Sequence, residues 1–425
     1  MTDEHHADRR SFLKTGAIAG TALVAGASVM AQQVAADTDA SNRPLTKGDI
    51  AILRLLAAVE LIESDLWLQY AELGGVQVFG PQGSELPGLP TGGSAPYTAA
   101  LNNLDADMSQ YIHDNTEDEF SHAAFLNAYL VSKGAEPVNL DQFRTLKGSQ
   151  ATGANKTKKR LTNLMRLKVD TSWWTRYRSR ANNPDLDPTF VFPQAVPTLF
   201  AGQFPAIPRT DADLTPPNHI QAIANTASFH FGFIEQGGSS LYPTLAQRVT
   251  HPQVLRILLS IGPTETSHFQ TWHDKAGNAV SDPLAPLTDG SLVFPDLNAP
   301  PFGGEDFQTN LIMPEPCPFL SRKFPPVSII RGTSIESFGA VATIKAFTAD
   351  GLFIGQTDGF FDLVGRLASE ADAATRKCDA DWRKNERGWP CRSRPPVLIR
   401  ICEVLAYRDT PIALSRPRGL CVPGR

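Results

Sequence analysis

The stretch NTEDEFSHAAF, Asn115 to Phe125, sets a glutamate and a histidine three residues apart, Glu119 and His122. In a helix that spacing stacks both side chains on one face, about one turn apart. The surrounding apolar residues recur at helical intervals, and both polar residues fall on the stripe that the helix would bury. The pattern returns in PTETSHFQTW, Pro263 to Trp272, as Glu265 and His268. A buried, unpaired carboxylate costs several kcal/mol or a strongly raised pKa. Two such pairs on two apolar stripes therefore need an explanation.

Working outward, four long segments show helical periodicity. The first runs from Leu45 to Leu73 and opens with Thr46 and Asp49 in capping-box spacing. Its stripe carries Leu53, Leu56, Glu60, Glu63, Trp67 and Tyr70. After a Gly/Pro-rich loop, the second is expected from about Thr98 to Lys133, with Leu101, Leu104, Met108, Tyr111, Asn115, Glu119, His122, Leu126 and Tyr129 on one face. The third starts after Pro216-Pro217 and carries Ile220, Ala224, Ala227, Phe231 and Glu235. Gly237, Gly238 and Pro243 predict an end or a kink soon after Glu235, which leaves His230 as a substitute for it. The fourth is capped near Thr250 and carries Val254, Ile257, Ile261, Glu265, His268 and Trp272.

Each of the four segments thus puts a glutamate on its core stripe: Glu60, Glu119, Glu235 and Glu265. Four buried carboxylates would repel one another, and two divalent or trivalent cations remove that penalty, because +4 to +6 meets −4. Glu63 is read as a polar neighbour of such a centre in preference to a further ligand. His113, His230, His251 and His273 are read as satisfied or exposed histidines.

The arrangement of one Glu from each of two helices, Glu-x-x-His from each of the other two, and one long crossover between the second and third resembles the ferritin-like dinuclear carboxylate bundle. The likeness spans about residues 45 to 275. VELIESDLW and the N-terminal signal look most like the desiccation-related branch of ferritin-like proteins, similar in plan to manganese catalases. The resemblance implies an all-α four-helix bundle whose metal ligands are Glu60, Glu119, His122, Glu235, Glu265 and His268. It makes Glu119 and Glu265 bridging carboxylates for two iron or manganese ions. It assigns Asp118 to hold His268 in its ligating tautomer, and it puts Thr264 in the matching place for His122. Redox handling of hydrogen peroxide or dioxygen is the implied chemistry; a non-catalytic metal-binding or stress-protective bundle is the alternative.

At the N-terminus, Arg9-Arg10 followed by Phe12, Leu13, Lys14 and a Gly/Ala-rich run resembles a twin-arginine export signal. The expected organisation is a signal peptide over 1–36, the bundle over 37–290 with a crossover at about 135–216, a loop-rich and helical extension over 291–375, and a disordered tail over 376–425. A periplasmic or secreted protein with no stable membrane anchor after cleavage follows, with the export machinery as a partner. The net charge of −5 gives no global attraction to nucleic acid. The crossover holds a basic, helix-compatible piece, NKTKKRLTNLMRLKV, and then Trp173, Trp174 and Tyr177, which are expected to pack on the bundle or cover the site. The five cysteines all follow residue 316 and show no CxxC spacing, which argues against a cysteine metal site.

Overall fold

The computed structural model describes residues 43–76, 92–176, 191–300 and 339–377. The signal peptide over 1–36, all five cysteines and the chain beyond Lys377 lie outside the described residues. Among the described residues no helix is long and apolar enough to cross a membrane.

Four long helices form the bundle: α1 (Lys47–Gly74), α3 (Met108–Ser132), α6 (Pro217–Ala246) and α7 (Pro252–Asn278). The Thr46–Asp49 capping box closes the start of α1, and Asp49 Oδ1 also accepts from the backbone of Thr250 and His251. One carboxylate thus fixes the start of α1 to the start of α7. Cross-helix contacts give the directions. Along α1, Arg54 meets Glu136 while Trp67 meets Thr116, so α1 and α3 are antiparallel. Tyr242 meets Glu60 and His230 meets Tyr70, so α6 also runs against α1. Therefore α3 and α6 are parallel, and the link between them must return along the whole bundle.

That crossover is ordered by buried polar anchors. Asp65 on α1 accepts from the backbone of Leu161 and Thr162 at 2.8 and 2.9 Å and pairs with Arg144 at 2.6 Å. Arg160, fully buried, pairs with Glu72 at 2.5 Å. These bonds divert the backbone donors that a helix would use. The basic piece expected to be helix-compatible accordingly forms a strand, β2 (Lys159–Arg160, paired with β1, Leu146–Lys147), and irregular chain instead. A short helix, α4 (Ser172–Arg176), follows. Its Trp173 and Trp174 are 1% exposed and pack on Phe229, Phe269 and His273. Gly232 makes room, since a Cβ there would lie 2.3 Å from Trp173.

Two further expectations need correction. The second helix is two helices, α2 (Ala95–Leu104) and α3, because Asp105 accepts from the backbone of Asp107 at 2.8 Å. That local bond offers the backbone an alternative to the helix. The third helix does not stop near Glu235 but continues through Gly237, Gly238 and Pro243 to Ala246. Its glycines permit close approach: a Cβ at Gly238 would lie 2.7 Å from Glu265 Oε2, and one at Gly237 would lie 3.3 Å from Phe347.

After a short helix in the crossover, α5 (Pro197–Ala201), and a hairpin of β3 (Leu287–Asp289) and β4 (Leu292–Phe294), two helices complete the described chain. They are α8 (Ala340–Asp350) and α9 (Asp358–Asp372). Asp372 caps the start of α8 through the backbone of Ala340 and Val341. Past α9, Arg376 Nε donates to Val249 O at 2.8 Å.

Candidate metal centre

Helices α1 and α6 each supply one glutamate, and α3 and α7 each supply a glutamate and a histidine one turn apart. Glu60, Glu119, Glu235 and Glu265 are all 0% exposed. Ligating atoms of Glu60, Glu119, His122 and Glu265 lie within 4.8 Å of one another, and so do those of Glu119, Glu235, Glu265 and His268. The six side chains singled out in the sequence therefore converge on one place. Glu119 and Glu265 belong to both sets.

The donor geometry fits cations better than hydrogen bonds. His122 Nδ1 stands 3.3 Å from Glu60, 3.2 Å from Glu119 and 3.3 Å from Glu265. His268 Nδ1 stands 3.3 Å from Glu119, 3.4 Å from Glu235 and 4.0 Å from Glu265. One N–H can serve only one of its three oxygens. Oε2 of Glu60, Oε2 of Glu235 and both oxygens of Glu265 are left without a hydrogen bond. Leaving such buried acceptors unmet is costly. An ion within each set would satisfy carboxylate and imidazole together, and mixed oxygen and nitrogen donors suit iron or manganese.

Neighbouring groups hold this shell in place. Asp118 lies 3.0 Å from His268 Nε2, so that with an ion bound the ring proton would be held there and the Nδ1 lone pair would face the carboxylates. Tyr242 donates to Glu60 Oε1. Trp67 Nε1 donates to Glu235 Oε1 at 2.9 Å. Asn115 donates to Glu119 at 2.7 Å and to Glu235 at 3.1 Å, and is itself oriented by Trp272 Nε1 at 2.8 Å. Thr264 does not play for His122 the part that Asp118 plays for His268. Its hydroxyl donates to its own helix at Ser260 O, as helical threonines do, and its side faces a cleft.

The charges respond to burial and to each other. Burial pushes Glu60 up to about 8, against the pull of His122. Burial and neighbouring carboxylates hold Glu265 and Glu63 well above the usual range. Glu235 is raised by burial and partly offset by His268. Burial would raise Glu119 too, but bonds from His122 and His268 outweigh it and keep it below normal. Both histidines are raised, because the carboxylates overcome their burial. Protons thus do part of the neutralising that a metal would take over.

His230 is not at the centre. Its Nδ1 meets Tyr70 Oη at 2.7 Å and its Nε2 lies 3.3 Å from Asp350, tying α8 to the bundle. His251 caps α7, and His113 lies 3.2 Å from Glu117. Three site residues escaped the sequence reading in that role. Asn115 and Trp67 were on the right stripes but looked like packing; Tyr242 lies two turns after Glu235 on the same face, a spacing that could have found it. Glu63, read as a polar neighbour, has no hydrogen-bonding partner for either oxygen.

A search of curated proteins and a search of solved structures each returned no match. A model of one family, described as ferritin-like domain, matches residues 48–277. That range takes in α1 through α7, all six converging side chains and more than half of the chain, and the chain belongs to the ferritin-like domain family.

Proposed function

We propose that this protein holds a dinuclear iron or manganese centre and uses it in redox handling of hydrogen peroxide or dioxygen. One observation carries the reading: two overlapping sets of buried ligand atoms that share Glu119 and Glu265, with carboxylate oxygens that no protein donor satisfies. Bound there, two adjacent redox-active ions would supply electron storage and a place for a small oxidant. Glu60 and His122 would hold one ion and Glu235 and His268 the other, with the shared pair between them.

The chain's own groups do the rest. Asp118 keeps the His268 proton on Nε2, Tyr242 and Trp67 fix the orientation of the terminal carboxylates, and Asn115 couples Glu119 to Glu235. Trp67, Phe231 and Trp272, with ring centroids 4.6 to 5.4 Å apart, form a buried aromatic cluster that reaches the site through Trp67 and Trp272. A cleft of about 720 Å³ between α3 and α7 borders His122, which supports entry of a small molecule from that side. The Arg9-Arg10 signal supports export to the periplasm or beyond.

Metal analysis of protein purified after export, followed by a peroxide-consumption assay, tests this. Two ions per chain with peroxide turnover are expected. Two ions without turnover would favour the non-catalytic, stress-protective reading, and absence of metal would end both.

A further inference from the structure

Glu63 sits one turn beyond Glu60 on the same face of α1. It is 1% exposed, and neither of its carboxylate oxygens has a hydrogen-bond partner. The charges acting on it are those of Glu119, Glu265, Glu60 and Glu235, the two shared carboxylates foremost. Its position one turn from Glu60 on the buried face of α1 puts it beside the centre.

A buried carboxylate can be compensated by a cationic side chain, by hydrogen-bond donors, by a proton or by a metal ion. No ion pair or hydrogen bond to Glu63 exists among the described residues. A proton alone would leave a neutral acid whose O–H and carbonyl are still unmet, an arrangement that a plain hydrocarbon would improve on. A metal ion compensates both charge and lone pairs.

We propose that Glu63 is a seventh metal ligand, a fifth carboxylate of the centre beside the shared Glu119 and Glu265. The inference rests on the dinuclear reading above. Glu63 belongs to neither of the two four-residue sets, so ligation requires its side chain to move. The consequence is electrostatic: a fifth carboxylate takes the shell from −4, which two divalent ions balance, to −5, which they do not. Such a shell favours the oxidised state of the metals.

The test compares wild type with Glu63→Gln, which is equal in volume and neutral, and with Glu136→Gln at a site 86% exposed as a control. Manganese(II) and iron(II) binding is measured by chelator competition, together with the thermal midpoint with and without metal and the redox midpoint potential. Metal-free Glu63→Gln should melt at least as high as metal-free wild type. With metal it should bind at least about tenfold more weakly, gain less in thermal midpoint and show a higher potential. Glu63→Asp, which withdraws the carboxylate by one methylene, should weaken binding as well. A metal-loaded wild-type structure gives an answer that needs no variant: a Glu63 oxygen within about 2.6 Å of an ion is expected. Two ions bound by wild type with Glu63→Gln unchanged, or a loaded structure with Glu63 remote from both, overturns the inference and leaves the dinuclear centre standing. No metal on wild type overturns the centre itself, and Glu63 with it.

Discussion

Beyond the capping Asp49, helix α1 buries four acidic side chains that fall into two contrasting regions. In its second half Asp65 and Glu72 are fully supplied: the crossover brings Arg144, Arg160 and the backbone of Leu161 and Thr162 to them. In its middle Glu60 and Glu63 have one tyrosine hydroxyl and one imidazole, 3.3 Å from Glu60, between them. Burial is the same in both regions, so burial by itself says nothing about function. What differs is the supply of donors. A supplied carboxylate staples the fold, whereas an unsupplied one leaves oxygens that, on the dinuclear reading, an ion would satisfy.

That contrast breaks first at Glu119. Glu119→Ala removes a carboxylate from both sets, and metal stoichiometry by elemental analysis should fall from two ions toward none, with affinity down more than about 100-fold, beyond the usual cost of losing an outer-shell partner. The opposite result is expected at the other region. Arg160→Ala strands Glu72 in the interior and should cost about 3–5 kcal/mol in denaturant unfolding, while the surviving folded protein still binds two ions. Loss of metal without loss of stability there would erase the distinction.

Asp118→Asn sharpens the role of the outer partners. Weaker orientation of His268 should reduce metal affinity about 10–100-fold with little change in metal-free stability. Thr264→Ala, at the formally equivalent position, should alter affinity less than about threefold, because its hydroxyl bonds its own helix.

Acidity gives a gentler test. Glu60 is raised in the folded protein to about 8, above its unfolded value of 4.5. Such a group contributes stability that is fully present below pH 4.5 and is lost as pH rises through about 8. Metal binding must displace the same proton, so affinity should climb over that window. Metal-free protein should therefore lose thermal midpoint as pH rises from about 5 to 8, while loaded protein should lose less.

Much of this was open to a reader of the sequence, for identifiable reasons. Glu119/His122 and Glu265/His268 declare themselves because helix geometry is local: a spacing of three fixes a shared face before any folding occurs. Stripe position then says that Glu60 and Glu235 are buried. The break at Asp105 and the strand at Lys159–Arg160 were missed because a side chain captured backbone donors from a helix, locally in one case and from 96 residues away in the other. The run of α6 past Gly237 and Pro243 was missed because those glycines read as stops, when they exist to admit Glu265 and Phe347.

The sequence by itself determined the four rods, their buried faces and the acidic and imidazole groups on them, since periodicity and capping depend on neighbours within a turn or two. Tertiary structure alone decided which buried carboxylates found donors and which did not. Partners such as Arg160, Asn115 and Tyr242 come from other elements of the chain, and only packing brings them within a hydrogen bond's reach.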